Sequence, residues 1–313
     1  MFDAFRRSLT GIHAATIVPM RADFSIDEDA LAEHIGWVAG TPGIRGLLVN
    51  GHAGENFVLD RAEKRRVMEI ARRVVPEGCL IVSGVNAESS LEAAREAAEM
   101  EQVGADGLLV FPPNSWALSH AGEAVLIHHR YISEATSVPL LIYGAPIASG
   151  ALAYPPEILL RLAEEPHIVG IKEGSWEVAA YEANMRLLKG QRSDFIVLGS
   201  GDEHLLTSYI IGTTGSQVSL AAAVPGLVAA LWNAAASGDW TKARALHERL
   251  YPLAAAIYRD PPGGRATARL KAALKLLGKI SCDAVRPPQP APTADECSVV
   301  EKALISCCLT TTI

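Results

Sequence analysis

Positive charge is scarce in this sequence. Its 313 residues include 28 Lys and Arg against 35 Asp and Glu, which gives a formal net charge of −7. The one basic cluster, at 61–67, lies within a segment of helical periodicity. Proteins that bind nucleic acid carry a basic patch or stripe that neutralises phosphates. The charge balance therefore predicts no nucleic-acid partner.

Cysteine is also sparse, and its spacing fits neither a metal site nor a disulfide framework. The five cysteines are Cys79, Cys282, Cys297, Cys307 and Cys308. None of them stands at metal-ligand spacing from a histidine, and they do not form the pattern of a small secreted domain. The sequence therefore predicts reduced thiols in a cytoplasmic protein without a metal site.

Long uninterrupted apolar runs are missing as well. The longest candidate, residues 217–237, is split by Pro225 and Gly226 and has no flanking aromatic or basic belt. A membrane-spanning helix needs about 20 apolar residues, with such belts at its ends. We therefore expect no membrane partner, and we interpret this segment as a strand end followed by a buried helix.

What the sequence does contain is a regular alternation of short apolar runs and longer helical patterns. Such an alternation is typical of βα units around a parallel sheet. Eight units occupy roughly 230 residues, close to the ~250 of a (β/α)8 barrel, whereas an open doubly wound sheet has fewer strands. The sequence thus predicts an α/β protein with a TIM barrel. The predicted strands are at 11–18, 44–50, 79–85, 106–112, 138–144, 167–173, 194–200 and 213–220. The predicted helices are at 28–39, 61–74, 89–103, 121–135, 155–164, 175–188, 203–211 and 224–237.

The strand patterns stop after the eighth unit, and only helical patterns follow. Three of them, at 240–258, 264–278 and 293–306, are separated by segments rich in proline and glycine. We expect these to form a C-terminal three-helix annex. The predicted domains are a catalytic barrel at 1–223 and, at 224–313, the last barrel helix with the annex and tail.

In a TIM barrel the active residues come from the carboxyl ends of the strands, because the loops that follow them gather on one face. Polar residues and glycine clusters occur where this rule expects them, from the turn at 51–55 to the one at 199–203. The turn at 199–203 fits either an anion-binding turn or, as the favoured interpretation, the capped start of a helix. Gly199 and Gln217, at the ends of strands seven and eight, are candidate substrate-binding residues.

Lys172 is the most unusual of these strand-end residues. It follows the apolar run of Ile168, Val169 and Ile171, although lysine is rarely buried without a partner. One interpretation is a salt-bridged lysine at the barrel rim, next to Glu173. The other is a Schiff-base nucleophile, whose pKa must fall from ~10.4 to about 7–8, a change of about 4 kcal/mol that burial can supply.

Tyr143 ends the preceding strand, so its side chain should enter the same pocket. A tyrosine at such a position is commonly a core ring with a tethered hydroxyl group. Beside a lysine, its hydroxyl group is also suited to carry the protons that imine formation requires. The pair Lys172 and Tyr143 is therefore the candidate catalytic centre.

The turn after strand two reads "GHAGE" and is bounded by glycines. Its backbone N–H groups, at Gly51, Ala53 and Gly54, are candidates for holding a carboxylate. A purely structural turn is the alternative. His52 is either a loop histidine or a proton carrier, since its unperturbed pKa is ~6.5. We include His52 among the candidate catalytic residues.

Five motifs in the same order resemble the dihydrodipicolinate synthase / N-acetylneuraminate lyase family of class I aldolases. The similarity runs from about Gly11 to Pro288 and comprises "GHAGE", Tyr143 with a nearby proline, "GIKE", "GSGDE" and "ALKLLG…VRPP". The resemblance implies a (β/α)8 barrel with a helical annex, a homotetramer and no cofactor. It also implies that Lys172 forms an imine with pyruvate or another 2-oxo acid and that Tyr143 is the proton shuttle.

The sequence departs from the family pattern at four positions. His52 and Ala53 stand where the family has two hydroxyl residues, Ala148 where the lysine-pathway enzymes have an arginine that grips the second substrate, and Asn114 where an interface tyrosine is usual. We therefore expect a Schiff-base lyase or aldolase with a substrate other than that of lysine biosynthesis, and we include Ala148 among the candidate substrate-binding residues. The alternatives are a keto-deoxy sugar acid dehydratase and a non-catalytic 2-oxo acid binding barrel.

Overall fold

Eight parallel strands close into a barrel in the computed structural model, which describes residues 2–118, 122–259 and 263–309. Each strand pairs with the next along the chain, and β8 pairs with β1 to complete the circle. The strands are β1 Gly11–Ala15, β2 Ile44–Val49, β3 Leu80–Val85, β4 Gly107–Val110, β5 Leu140–Gly144, β6 Ile168–Glu173, β7 Ile196–Gly199 and β8 Gly215–Val218. The predicted TIM barrel is confirmed, with strands that are shorter than the predicted apolar runs.

The strands form because they are short aliphatic runs that are buried on both faces, as parallel sheets require. Successive side chains point to opposite faces, so each strand contributes to two separate apolar clusters. The inner cluster fills the barrel and includes Leu48, Leu141 and Leu198. The outer cluster, with Leu47 and Ile142, packs between the barrel and its helices. This double burial fixes which strand residues can reach the barrel mouth.

The helices follow the strands in the predicted order. Those of the barrel are α2 Glu28–Ala39, α3 Arg61–Val74, α4 Ser90–Gln102, α5 Gly122–Ala135, α6 Pro156–Glu164, α7 Val178–Gln191, α8 Leu205–Ile211, α9 Leu220–Ala223 and α10 Pro225–Ala236. The predicted helix at 175–188 begins three residues too early, because Trp176 has a positive φ of 61° that no helix accepts. Two helices were not predicted, namely α1 Asp3–Ser8 before β1 and the four-residue α9 after β8.

Three helices follow the barrel and form the predicted annex. They are α11 Trp240–Tyr258, α12 Ala266–Leu276 and α13 Ala294–Ser306, and each packs against the other two. The predicted division at 223 and 224 falls between α9 and α10. The turn at His52–Gly54 contacts α12, so the annex reaches the carboxyl ends of the strands. Within the described ranges, no helix has the length and apolar character that crossing a membrane requires.

Candidate active site

Lys172 and Tyr143 are direct neighbours at the carboxyl end of the barrel. The register of β5 and β6 pairs the two residues across the parallel ladder. The Lys172 Nζ lies 5.8 Å from the centre of the Tyr143 ring. Tyr143 belongs to the inner apolar cluster, and Ile171, adjacent to Lys172, belongs to the outer one. Both side chains therefore point into the barrel, as the strand-end argument predicted.

The amine of Lys172 is buried without a carboxylate partner in contact. The residue is 8% exposed, and no ion pair or hydrogen bond to its Nζ occurs in the part of the chain that the structure describes. Burial lowers the pKa of Lys172 from 10.5 to about 8, against the opposing charge of Asp202. At pH 7 this raises the uncharged fraction of the amine from roughly 0.03% to roughly a tenth. The alternative of a salt-bridged rim lysine does not describe this geometry.

Tyr143 keeps its proton at neutral pH. Burial raises the pKa of its phenol above 10, and the charges of Glu173 and Asp202 add to the effect. A protonated phenol beside an amine can donate a proton, and the phenolate left behind is a strong base. The site thus places a nucleophile and an acid/base group side by side.

His52 lies at the start of a 3-10 helix, His52–Gly54, that directly follows β2. Its ring centre is 4.3 Å from that of Phe111 and 5.1 Å from that of Tyr143, where the two rings meet edge to face. His52 therefore faces the catalytic pair, although the residue as a whole is exposed. Burial of the ring against these neighbours, and secondarily the charge of Lys172, lower the pKa of His52 below 6.5. Solvent at the exposed edge moderates this effect, and the ring is neutral at pH 7.

The backbone of this turn is only partly available to a ligand. The N–H of Gly54 donates to Gly51 O at 3.0 Å, and the N–H of Glu55 donates to His52 O at 3.0 Å. The Gly54 N–H is therefore engaged within the turn in this conformation, and its role in holding a carboxylate stays a prediction. The N–H groups of His52 and Ala53 begin the 3-10 helix, and such groups have no partner within their own helix. They are the donors that the turn can offer.

A buried ion pair holds this turn against the annex. Glu55, at the end of the turn, has a positive φ of 57° and pairs with the Nζ of Lys271 on α12. Lys271 also donates to Ala284 O at 2.8 Å, and the second Glu55 oxygen accepts from the N–H of Arg286 at 2.8 Å. Sequence reasoning did not identify this network, because the partners are 216 residues apart in the chain.

The loop after β7 contains a buried carboxyl group to which sequence reasoning gave no role in the site. The turn at 199–203 was expected to begin a helix, and Asp202 does stand in the first turn of the 3-10 helix Asp202–His204. No side chain caps this helix, and the Asp202 Oδ1 accepts from the N–H of Leu220 at 2.7 Å. Burial raises the pKa of Asp202 to about 6, against the effects of the Leu220 N–H and of Lys172. Next to it, the hydroxyl groups of Ser219 and Tyr258 are 2.6 Å apart. The sequence signal for Asp202 was its place after strand seven.

The two other strand-end candidates occupy different environments. Gly199 ends β7, and a side chain there would collide with the hydroxyl groups of Tyr181 and Ser208 among the outer helices. The structure thus does not bring Gly199 into the mouth beside Lys172. Gln217 is fully buried on β8 next to His13, and neither of its amide atoms has a hydrogen-bond partner within the described residues. It faces the barrel interior, where its unpaired polar atoms are available.

The positions that depart from the family pattern lie on the loops around the mouth. Ala148 is an exposed residue of the 3-10 helix Ile147–Leu152, and its methyl group carries no charge. Asn114 is exposed at the start of another 3-10 helix, and its N–H donates to Glu88 at 2.9 Å.

Trp176 follows β6 near the mouth, and its ring centre lies 5.8 Å from that of Tyr258. A bulky residue with positive φ is a strained conformation that concentrates at functional sites.

The site contains no arrangement of metal ligands. Across residues 2–118, 122–259 and 263–309, no three His, Cys, Asp or Glu side chains gather closely enough to hold a metal ion. The chemistry that the described residues offer is that of an amine, a phenol, an imidazole and a carboxylic acid.

Comparisons with known proteins bear on the family and the fold. A family model for the dihydrodipicolinate synthetase family matches residues 8–306. The 4-hydroxy-tetrahydrodipicolinate synthase of Methanopyrus kandleri is 32% identical over 284 residues, which cover 90% of each chain. The crystal structure of a dihydrodipicolinate synthase from Agrobacterium tumefaciens has a TM-score of 0.87 and 26% identity, covering 96% of this chain and 99% of that one. A family member from an E. coli K12 prophage, solved with pyruvate, has a TM-score of 0.88 at 23% identity over 96% and 99% of the chains, which shows the fold alone.

The match of the family model over nearly the whole chain and the identity to the archaeal relative lead to one conclusion. They confirm the resemblance found in the motifs and the prediction of a lyase of the aldolase type. The protein belongs to the dihydrodipicolinate synthetase family.

Proposed function

We propose that the protein is a Schiff-base lyase or aldolase that acts on pyruvate or another 2-oxo acid. The observation that supports this most directly is the buried amine of Lys172, which lies beside the phenol of Tyr143 and has no carboxylate in contact among the described residues. The relative from E. coli K12 was solved with pyruvate, the simplest such acid.

The first part of the reaction forms an iminium ion on Lys172. The neutral amine attacks the keto carbon of the 2-oxo acid, and an N–H proton moves to the oxygen to give a carbinolamine. Tyr143 donates its proton to the departing hydroxyl group, which leaves as water. The resulting iminium ion withdraws electrons from C3, so the phenolate can remove a C3 proton and form an enamine. The enamine then adds to an electrophile, or forms in reverse when a C3–C4 bond breaks, and hydrolysis releases Lys172.

The turn after β2 has two roles in this proposal. The N–H groups of His52 and Ala53 hold the carboxylate of the 2-oxo acid, because they begin a helix and have no partner within it. The imidazole of His52 is neutral and packs against Tyr143, so it can pass protons between the phenol and solvent.

We also propose that the second substrate differs from that of lysine biosynthesis. Curated relatives are called 4-hydroxy-tetrahydrodipicolinate synthase, and that activity is the reference against which this chain has to be tested. At the mouth, however, Ala148 offers no charge to a second carboxylate, and His52 and Ala53 offer no hydroxyl group. An electrophile without a carboxylate at that position fits this surface better.

Two alternatives remain part of the proposal. A keto-deoxy sugar acid dehydratase would form the same imine but lose a hydroxyl group, and the absence of a charged group at Ala148 favours it equally. A non-catalytic barrel would bind the 2-oxo acid without turnover, and its support is the replacement of two hydroxyl residues by His52 and Ala53. Homotetramer formation and a cytoplasmic location are further proposals, and sedimentation velocity tests the first.

The decisive experiment combines imine trapping with product analysis. The protein is incubated with pyruvate and borohydride, and the adduct is located by peptide mass mapping. A panel of 2-oxo acids and sugar acids is then assayed for released pyruvate and for dehydrated product. Aldolase activity releases pyruvate, a dehydratase does not, and a binding barrel gives an adduct without turnover. Lys172→Ala is the test variant for the adduct, and Lys242→Ala, at an exposed lysine, is its matched control. Absence of any adduct in the wild type would contradict the proposal.

A further inference from the structure

A second cavity lies on the reverse side of the strand that carries Lys172. It has a volume of about 260 Å³ and is bounded by the ends of β5 and β6, by α6 and α7 and by the loop after β5. Ile171 and Glu173 line it, whereas Lys172 between them points into the barrel. Because successive strand residues point to opposite faces, this cavity is separate from the catalytic site.

The walls of the cavity are mainly aliphatic. They include Ala145, Ile147, Ala153, Leu159 and Ala180. Four polar side chains interrupt this lining, namely Glu173, Tyr154, Ser175 and Asn184. An apolar cavity with a few converging polar groups is the usual form of a small-molecule site.

Glu173 is fully buried, and the groups that contact its carboxylate are all neutral. Its oxygens accept from Asn184 Nδ2 at 3.0 Å, from Ser175 Oγ at 3.1 Å and from the Ser175 N–H at 3.3 Å. No ion pair of Glu173 exists among the described residues, and burial raises its pKa. A buried carboxylate without a cation is destabilising, and a cationic group in the cavity would compensate it.

Tyr154 provides a second polar group that has no use in the fold. Its side chain is 8% exposed, and its hydroxyl group has no hydrogen-bond partner within the described ranges. Leaving a buried hydroxyl group unpaired costs about 1–3 kcal/mol. A ligand that offers a donor or an acceptor next to this hydroxyl group would remove that penalty.

We propose that this cavity binds a small organic amine, with its ammonium group on the Glu173 carboxylate and its apolar body among the alanine, leucine and isoleucine side chains. Benzene occupies a cavity of about 150 Å³, so 260 Å³ accommodates a ring with a one-carbon arm and an ammonium group. The ammonium group supplies three donors to a carboxylate that already accepts from neutral groups, and such charge-assisted bonds are the strong ones.

The test compares benzylamine, a cation at pH 7, with benzyl alcohol of the same shape. Binding to the protein without 2-oxo acid is followed by titration calorimetry and by ligand-observed NMR. We expect saturable binding of benzylamine, at least tenfold tighter than that of benzyl alcohol. Glu173→Gln should remove the preference for the cation, and Tyr154→Phe should weaken both ligands.

A pair of helix variants locates the site independently of Glu173. Ala183 lines the cavity from α7 and is exposed, so Ala183→Leu fills the space without disturbing the core. This variant should abolish binding, whereas Ala179→Leu on the same helix, outside the cavity lining, should retain it. Equal affinity for the two ligands, no saturable binding, or binding that survives Ala183→Leu would overturn the proposal. Lys172→Ala should bind benzylamine as the wild type does, which separates this result from the fate of the Schiff-base proposal.

Discussion

Two buried lysines in this protein have opposite surroundings. Lys172 lies at the barrel mouth with an aromatic ring beside it, and no carboxylate of the described part of the chain is in contact with its amine. Lys271 lies between the barrel and the annex, where Glu55 pairs with it and Ala284 O accepts a hydrogen bond. Burial lowers the pKa of both amines, but at Lys271 the Glu55 carboxylate acts in the opposite direction.

The comparison shows that burial alone does not make a lysine a nucleophile. A carboxylate in contact stabilises the ammonium form and occupies the amine, so Lys271 acts as a structural cation. The amine of Lys172 is desolvated among apolar groups and the phenol of Tyr143. It therefore loses its proton at a lower pH, and the free amine can attack a ketone. Lys64 is also a buried lysine that is paired with a carboxylate, since its Nζ lies 3.0 Å from the Oε1 of Glu96.

The largest effect is expected from removing the unpaired amine. Lys172→Ala should abolish the borohydride-trapped adduct with pyruvate and all turnover, because the other buried lysines among the described residues, Lys64 and Lys271, are each paired with a carboxylate. The measurement is peptide mass mapping after trapping, together with a circular dichroism spectrum that verifies the fold. An adduct that persists in this variant would show that another residue is the nucleophile.

The next largest effect on turnover is expected from changing Tyr143, the phenol beside Lys172. Tyr143→Phe keeps the ring but removes the acid/base hydroxyl group, so kcat should fall by about 10²–10⁴-fold. The adduct at Lys172 should still form, although more slowly, since the amine is unchanged. Rapid-quench trapping with pyruvate measures the rate, and an unchanged kcat would remove Tyr143 from the proton transfers.

Breaking the paired lysine should damage the fold rather than the chemistry. Lys271→Met leaves Glu55 buried without its cation, and loss of one partner of a buried pair costs about 3–5 kcal/mol of unfolding free energy. Urea denaturation measures this loss, and the folded fraction should still trap pyruvate on Lys172. The double variant Lys271→Met with Glu55→Gln should lose less than the two single variants combined. Destabilisation below about 1 kcal/mol would show that the pair is not a structural clamp.

The smallest effect concerns the charge of Asp202, which follows the strand next to that of Lys172. Asp202 raises the pKa of Lys172, so Asp202→Asn should lower the pH midpoint of pyruvate trapping, by about one pH unit or less. Asp194→Asn is the matched control, because this carboxylate lies before β7 at the other end of the barrel. A midpoint that rises in Asp202→Asn would contradict the assigned sign.

The contrast between the two lysines also separates what the sequence predicts from what it cannot. Lys172 and Tyr143 stand at the ends of apolar strands, and the barrel topology alone converts those positions into neighbours. Glu55 and Lys271 belong to segments with no shared local pattern, and only the docking of the annex brings them together. The same holds for Tyr258, whose helix places it beside Ser219. Local periodicity therefore predicted the barrel, while contacts between distant segments required the structure.

The pH dependence of pyruvate trapping, resolved by residue, distinguishes the unpaired amine of Lys172 from the paired amine of Lys271. The wild-type protein is trapped with borohydride from pH 6 to pH 11, and the adduct on each lysine peptide is quantified. Because the free amine is the nucleophile, trapping should rise with pH. We expect a single modified residue, Lys172, with a midpoint near pH 8, and no adduct on Lys271. A midpoint near 10.5, or an adduct on Lys271, would contradict it.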